Sequence, residues 1–216
     1  MRELIYSNDL FPMPIGIKNE TLQLVKVEKS IADKIVEKHH YSHKATSNSF
    51  LSFMVNNGKG ILQLGYGIRP EMKHTISKDI KKGNYCEFDR MWLSDDLPKN
   101  SESQVIGLLL SYLKQVHKNI QFVITYADES AGNVGTIYQA TNAIELDSVP
   151  VDFYILPSGE RIHPVSMWHR HGTRAKEFIE KQYEGIKHIK GEFRQRRYLY
   201  ILSNKMRKKF QGRNAA

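Results

Sequence analysis

The chain has 216 residues, 40% of them hydrophobic, a single cysteine and a formal net charge of +9 at pH 7. That length supports a core of ordinary size without requiring two domains, and the lone Cys86 excludes a disulfide framework or a thiolate zinc site and points to a reducing, cytoplasmic setting. No basic region followed by an apolar run opens the chain and no apolar stretch is long enough to span a bilayer, so the expectation is a soluble protein that avoids membranes.

Residues 1–21 contain Phe11-Pro12-Met13-Pro14-Ile15-Gly16, whose prolines predict an irregular arm. Leu22 to Glu28 alternates with period two and predicts a strand. Ser30 and Asp33 have capping-box spacing and predict a helix burying Ile31, Ile35 and Val36. It runs out at His39-His40-Tyr41-Ser42-His43-Lys44, a cluster that on its own suits a solvated helix end. Asn48–Val55 and Ile61–Ile68 read as a hairpin joined at Asn57-Gly58, with Gly65-Tyr66-Gly67 closing the second strand. Met72 to Gly83 reads as a lysine-bearing surface loop.

Tyr85 to Asn142 is the stretch around which the chain is organised. Tyr85–Leu93 predicts a strand, Lys99-Asn100-Ser101-Glu102-Ser103-Gln104 a helix start with Ser101 and Gln104 as a capping box, and Ile106, Leu109, Leu110, Leu113 and Val116 an apolar stripe. Gln121–Asp128 predicts a buried strand, and Gly132, Gly135 and Thr136 lead into a second helix through Tyr138. Two strands alternating with two helices imply a crossover unit that binds ligands at the carboxyl ends of its strands. Arg90, Ser101, Ser103 and Asp128 fall at that edge. Each also has an ordinary reading: Arg90 in an ion pair with Asp89 or Glu87, Asp128 as a loop cap, Tyr138 as core.

Val149–Leu156 and Arg161–Val165 predict a hairpin turned at Pro157–Glu160. Trp168 to Arg174 is an aromatic and basic cluster feeding a helix over Ala175–His188; Arg194, Arg196 and Arg197 precede a last strand at Tyr198–Leu202, and Lys205–Lys209 forms a basic tail. From Arg161 onward, 15 Lys and Arg stand against 4 Glu; the rest of the chain has 17 against 19 acidic residues. Charge concentrated in this way attracts polyanions, nucleic acid above all.

The order of strands and helices resembles the GCN5-related acetyltransferase fold, an α/β fold with a mixed central sheet flanked by helices, whose fourth and fifth strands splay apart to admit acyl-coenzyme A. Its glycine-rich cradle has no counterpart in Lys99–Ser103. Within that fold, His39-His40-Tyr41, Asp89-Arg90, Ser101, Ser103, Tyr126-Ala127-Asp128, the run Gly135-Thr136-Ile137-Tyr138-Gln139-Ala140-Thr141-Asn142 and Arg196-Arg197-Tyr198 resemble the Mom family of phage DNA-modification proteins. The resemblance implies one catalytic domain over residues 22–209, its basic part from about 161, with a short tail at 210–216. It further implies conversion of adenine in double-stranded DNA to an acetamido (carbamoylmethyl) form, which protects phage DNA from restriction. His40, Tyr41, Asp128 and Tyr138 would be active-site groups, Arg90, Ser101 and Ser103 acetyl-CoA contacts, and His40, Tyr41 and Asp128 an iron donor set. Arg170, Arg174, Arg194, Arg196, Arg197 and Lys208 would meet DNA phosphates. The oligomeric state, a homodimer included, stays open. So do two other functions: an ordinary acetyltransferase acting on a protein or small amine, and a non-catalytic nucleic-acid-binding protein.

Overall fold

The computed structural model describes residues 1–66, 80–81, 83–173 and 175–214. Gly67, Ile68, most of the Met72–Gly83 loop and Arg174 therefore lie outside the described residues. The chain divides into two compact units, Met1–Thr125 with Thr136–Glu145 and Tyr198–Ala216, and Tyr126–Gly135 with Leu146–Arg197.

The first unit is built on a mixed sheet. β1 (Glu3–Tyr6), β2 (Pro14–Lys18), β3 (Gln23–Lys26), β4 (Ser49–Val55), β5 (Gly60–Gly65) and β6 (Tyr85–Leu93) pair in sequence, all antiparallel. β6 then pairs parallel with β7 (Phe122–Asp128), and β8 (Ile144–Glu145) pairs with the end of β11 (Lys187–Ile201). The expected irregular arm is thus a hairpin. Pro14 is tolerated as the first residue of β2, where its missing N–H interrupts little of the ladder.

Helices cover both faces. α1 (Lys29–His39) lays Ala32 and Val36 on Ile61. α2 (Ser101–Val116) puts Tyr112 edge-on against Phe53, and the Tyr112 hydroxyl donates to Pro14 O at 2.9 Å. Phe53 pairs with Leu62, the neighbour of Ile61, and successive strand residues point to opposite faces, so the two helices lie on opposite sides of the sheet. α3 (Thr136–Ala140) follows β7, and α6 (Asn204–Asn214) buries Met206 and Phe210, one turn apart.

Neither predicted capping box forms. α1 begins one residue earlier, at Lys29; Asp33 instead bonds Lys29 and takes a 2.8 Å bond from Gln63 Nε2, and Ile31 is exposed. At α2 the Ser101 hydroxyl turns back to Pro98 O, and Gln104 receives Asn19 and Thr21. Tertiary partners outcompete the local caps in both helices.

The second unit contains β9 (Val149–Ile155), its hairpin partner β10 (Arg161–Ile162) and the leading part of β11, with α4 (Pro164–His171) and α5 (Lys176–Gln182). Tyr154, Leu156, Ile162, Met167 and Ile179 form its small core, flanked by Tyr183 and Ile186. The helix expected to reach His188 stops at Gln182. Gly185 follows with φ +81°, and Lys187 and His188 already pair with Ile155 and Tyr154. The last strand accordingly begins 11 residues before its expected start at Tyr198 and takes in the whole arginine run. The basic tail is helical, as part of α6.

Gly16 measures how tightly β2 and β3 fit, since a Cβ there would lie 2.2 Å from Leu24 O, a backbone atom that cannot swing aside. Gly16→Ala is expected to lose about 1–3 kcal/mol of stability by urea unfolding, the usual cost of an overpacked site; an unchanged midpoint would mean the two strands have slack.

Candidate active site

The parallel ladder between β6 and β7 is short. It runs from Tyr85 with Phe122 to Phe88 with Thr125 and stops, although β6 continues to Leu93. Counted from β3, these are the fourth and fifth strands, the pair expected to part. One residue beyond the last pair, the β5–β6 register jumps from Gln63↔Arg90 to Leu64↔Phe88, which leaves Asp89 as the extra residue of a bulge. Bulges re-aim side chains beside ligand sites. Here the Asp89 carboxylate occupies the place where Gly65 would carry a Cβ, only 2.1 Å from Oδ2. Oδ2 accepts from Ser49 Oγ at 3.1 Å and Thr46 Oγ1 at 3.5 Å. Burial raises the Asp89 pKa to about 6, with the Glu87 charge adding to the rise against the hydrogen bond from Ser49.

Next to it, Arg90 donates through Nε to Lys44 O at 3.1 Å and through Nη1 to Asp89 O at 2.7 Å. The ion pair with Asp89 or Glu87 that its sequence suggests is not formed among the described residues; the guanidinium instead pins the loop that follows α1. That loop starts at His40, whose backbone N–H still reaches Val36 O while its ψ of 140° turns the chain out of the helix. The ring is 5% exposed, and its Nδ1 accepts the Ser42 N–H at 3.1 Å, which places the ring proton on Nε2. Burial, helped by the charges of Arg90 and His43, lowers its pKa to about 4 and keeps the ring neutral. Tyr41 packs on it at 4.2 Å and is 63% exposed. His39 stacks on Trp92 and is a packing residue.

Tyr138 is buried against the end of the ladder. Its ring meets Phe88, a residue of the last β6–β7 pair, edge-on and lies near Tyr198. Burial raises its pKa, so it is a phenol that holds its proton. Tyr41 lies close enough for its charge to contribute to that rise, so His40, Tyr41, Arg90 and Tyr138 belong to one neighbourhood of the first unit.

Ser101 and Ser103 open α2 but do not present their hydroxyls. Ser101, 2% exposed, donates to Pro98 O at 2.6 Å, and Ser103 donates to Asn100 O at 2.9 Å. What the loop offers an anion is main chain, because first-turn amides have no acceptor within the helix. A surface cavity of about 320 Å³ runs along it, lined by Ser94, Pro98, Asn100 and Ser101 among others.

In the second unit, Asp128 caps the turn Glu129–Ala131. Oδ1 accepts from Ser130 N and Ser130 Oγ, and Oδ2 accepts from Arg161 Nη2 at 3.1 Å. Arg161 in turn lies 3.7 Å over the Phe153 ring. The arginines assigned to phosphate are engaged by the protein itself: Arg170 with Glu160, Arg194 with Ser148 and the Glu129 carboxylate, Arg196 with Glu129, and Arg197 with Asp147. Lys205, Arg207 and Lys208 on α6 stay exposed. Among the described residues no three His, Cys, Asp or Glu side chains cluster to hold a metal ion. With both Asp128 oxygens taken up as well, the expected donors do not fit an iron site.

The profile of the Mom protein family matches residues 21–215. The chain is 31% identical over 200 residues to methylcarbamoylase mom of Escherichia phage Mu, covering 90% of this chain and 81% of that one. Among solved structures, a probable acetyltransferase of the GNAT family from Chromobacterium violaceum gives a TM-score of 0.48 at 8% identity, covering 87% of this chain and 86% of the other. Spermidine N-acetyltransferase from Vibrio cholerae gives 0.48 at 10% identity, covering 88% and 99%. With its sequence matched almost end to end, the chain belongs to the Mom protein family.

Proposed function

We propose that this protein is a DNA-modifying transferase that converts adenine in double-stranded DNA to its N6-carbamoylmethyl (acetamido) form, drawing on acetyl-CoA, and so protects phage DNA from restriction in the host cytoplasm. Family membership and the likeness to a protein named methylcarbamoylase support the reaction class. The observation that carries the site is Tyr138, a buried phenol set edge-on against Phe88 where the β6–β7 ladder ends. A phenol that keeps its proton is suited to protonate a leaving thiolate. When bound, acetyl-CoA would supply the two carbons of the added group. A nitrogen donor that displaces the thiolate as the amide forms, and a two-electron oxidant that lets the methyl carbon join N6, would be separate co-reactants. The phosphates of acetyl-CoA would lie against the first-turn amides of α2, with Arg90 at the side. Neutral His40 donates from Nε2, and the exposed ring of Tyr41 offers a stacking surface to an extruded base. Asp128 acts through Arg161, which it orients. The phosphate contacts fall to Lys205 and Lys208, exposed on α6, while Arg207 beside them donates to Ile201 O at 3.2 Å.

Nucleosides from plasmid DNA of cells expressing the chain should include a heavier adenosine derivative by mass spectrometry. Tyr138→Phe should reduce it by about 10²–10⁴-fold, the range for loss of a general acid. Unmodified adenine beside acetylation of a free amine would favour an ordinary acetyltransferase, and an unmodified product with DNA binding intact a binding protein.

Reversing Lys205 and Lys208 to Glu should weaken DNA binding and lower the slope of log K against log salt by about 2, one unit for each phosphate no longer neutralised. An unchanged slope would remove α6 from the interface.

The two shifted groups oppose each other in stability. His40, lowered to about 4, leaves the unfolded chain binding more protons below pH 6.5, so its contribution falls as pH drops from 6.5 towards 4. Asp89, raised to about 6, makes the folded chain bind more protons, so stability falls as pH rises from about 4 to 6. His40→Gln should therefore compare more favourably with the parent at pH 4.5 than at pH 7 in urea unfolding; a pH-independent difference would mean that His40 titrates normally.

A further inference from the structure

Asp89 takes no part in the roles assigned to Tyr138, His40 and Arg90, and its surroundings are unusual for a structural carboxylate. It is half-buried, and among the described residues no cation pairs with it, because Arg90 spends its bonds on two carbonyls. The Arg90 charge reaches it only from a distance, so burial still raises its pKa; a part-buried carboxyl group without a direct ion pair is costly, and such groups recur where a ligand makes use of them. Three features hold it in one pose. The bulge turns it off the strand's regular alternation. Gly65 leaves room for it, since any side chain there would collide with Oδ2. Ser49 and Thr46 donate to Oδ2, whereas Oδ1 has no hydrogen-bond partner among the described residues. The group also stands one residue past the last β6–β7 pair, at the carboxyl end of the parallel ladder, where the two strands part as they do at the ligand sites of such sheets.

We propose that Asp89 is the residue that receives the target amine, with Oδ1 accepting an N–H from the exocyclic N6 of adenine while Ser49 and Thr46 fix Oδ2. This rests on the DNA-adenine reading above. An acceptor placed here selects a base edge that carries an amine and disfavours a carbonyl oxygen, as on guanine or thymine, which would face a second acceptor. It also holds the amine in place without taking its proton, so that the carboxyl group binds substrate and does not itself react.

Asp89→Asn tests this with little change of shape. The hydroxyls of Ser49 and Thr46 hold the amide oxygen in the place of Oδ2, so the new NH2 faces the adenine amine, donor against donor. Modified adenine should fall on the order of a hundredfold, as when a site built to hydrogen-bond its substrate loses the match. The unfolding midpoint should not fall, since a buried charge has been removed, and the salt dependence of duplex binding, measured by fluorescence anisotropy and set by phosphate contacts elsewhere, should keep its slope. A purely structural Asp89 predicts full modification by the Asn variant, and that result would overturn the inference. Ser49→Ala gives a second reading if the first variant fails to fold: loss of the bond that aims Oδ2 should lower modification several-fold, and an undiminished yield would again overturn it. Should the parent chain leave adenine unmodified, the DNA reading fails and this inference with it, an outcome recognised before any variant is compared.

Discussion

The structure depends on where one short ladder ends. β6 and β7 pair in parallel and part after Phe88 and Thr125. An all-antiparallel sheet would have no such place, because its hairpins return each strand against its neighbour along the full length. The parting is reinforced from both sides. Asp89 adds a residue to β6 immediately beyond it, and Thr125, fully buried, turns its hydroxyl to Phe88 O at 3.4 Å. A bulge on β4 at Phe50, where the register steps from Ser49↔Gly65 to Leu51↔Leu64, extends the same distortion one strand further. Two bulges bracketing the end of β5 bend the sheet where its polar residues gather.

That bend explains why several titratable groups sit together with so little ordinary compensation. Asp89, Arg90 and His40 come from adjoining turns of chain, yet no ion pair joins them among the described residues. Each is held by neutral partners: carbonyls for Arg90, hydroxyls for Asp89, a serine amide for His40. Neutral hydrogen bonds fix direction, while burial sets the charge states: it leaves His40 uncharged and, against the bonds from Ser49 and Thr46, raises Asp89 towards the working range. Ion pairing would have stabilised the fold and lowered the Asp89 pKa, at the expense of the electrostatic freedom a site needs.

Much of this frame is legible in the chain. Strand alternation and apolar runs mark β3 to β7 nearly to the residue, the Asn57-Gly58 turn marks the β4–β5 hairpin, and the strand-helix-strand stretch puts Arg90 and Tyr138 near the end of the parallel ladder. Local cues fail where tertiary contacts win. Ser30 and Asp33 have the spacing of a cap, but Asp33 is drawn to Gln63 across the sheet, a partner 30 residues away. The leading part of β11 reads as helix because Lys187 and Ile186 fit a helical period as well as a strand, and only the Gly185 turn and the pairing with β9 decide between them. Asp89 carries no mark of a site residue for a similar reason. A bulge is a property of two strands in register, and a single sequence carries no sign of which residue will be extra.

The arginine run shows how far charge counting can mislead about a surface. In the sequence, Arg194, Arg196 and Arg197 look like an exposed basic patch. In the second unit, Glu129 accepts from both Arg194 and Arg196, while Ser148 and Asp147 take Arg194 and Arg197. Alternate residues of a strand point to opposite faces, so three arginines packed into four positions cannot all line one surface. They tie β11 to the segment before β9 and to the turn that Asp128 caps. The Asp128 turn thus depends on this strand for its shape through Glu129 and on Arg161 for its charge balance. Replacing Arg196 would therefore disturb Glu129, and with it the turn that begins at Asp128, before any phosphate was released. A loss of activity in such a variant would be evidence about the support of Asp128 before it was evidence about any contact with a polyanion.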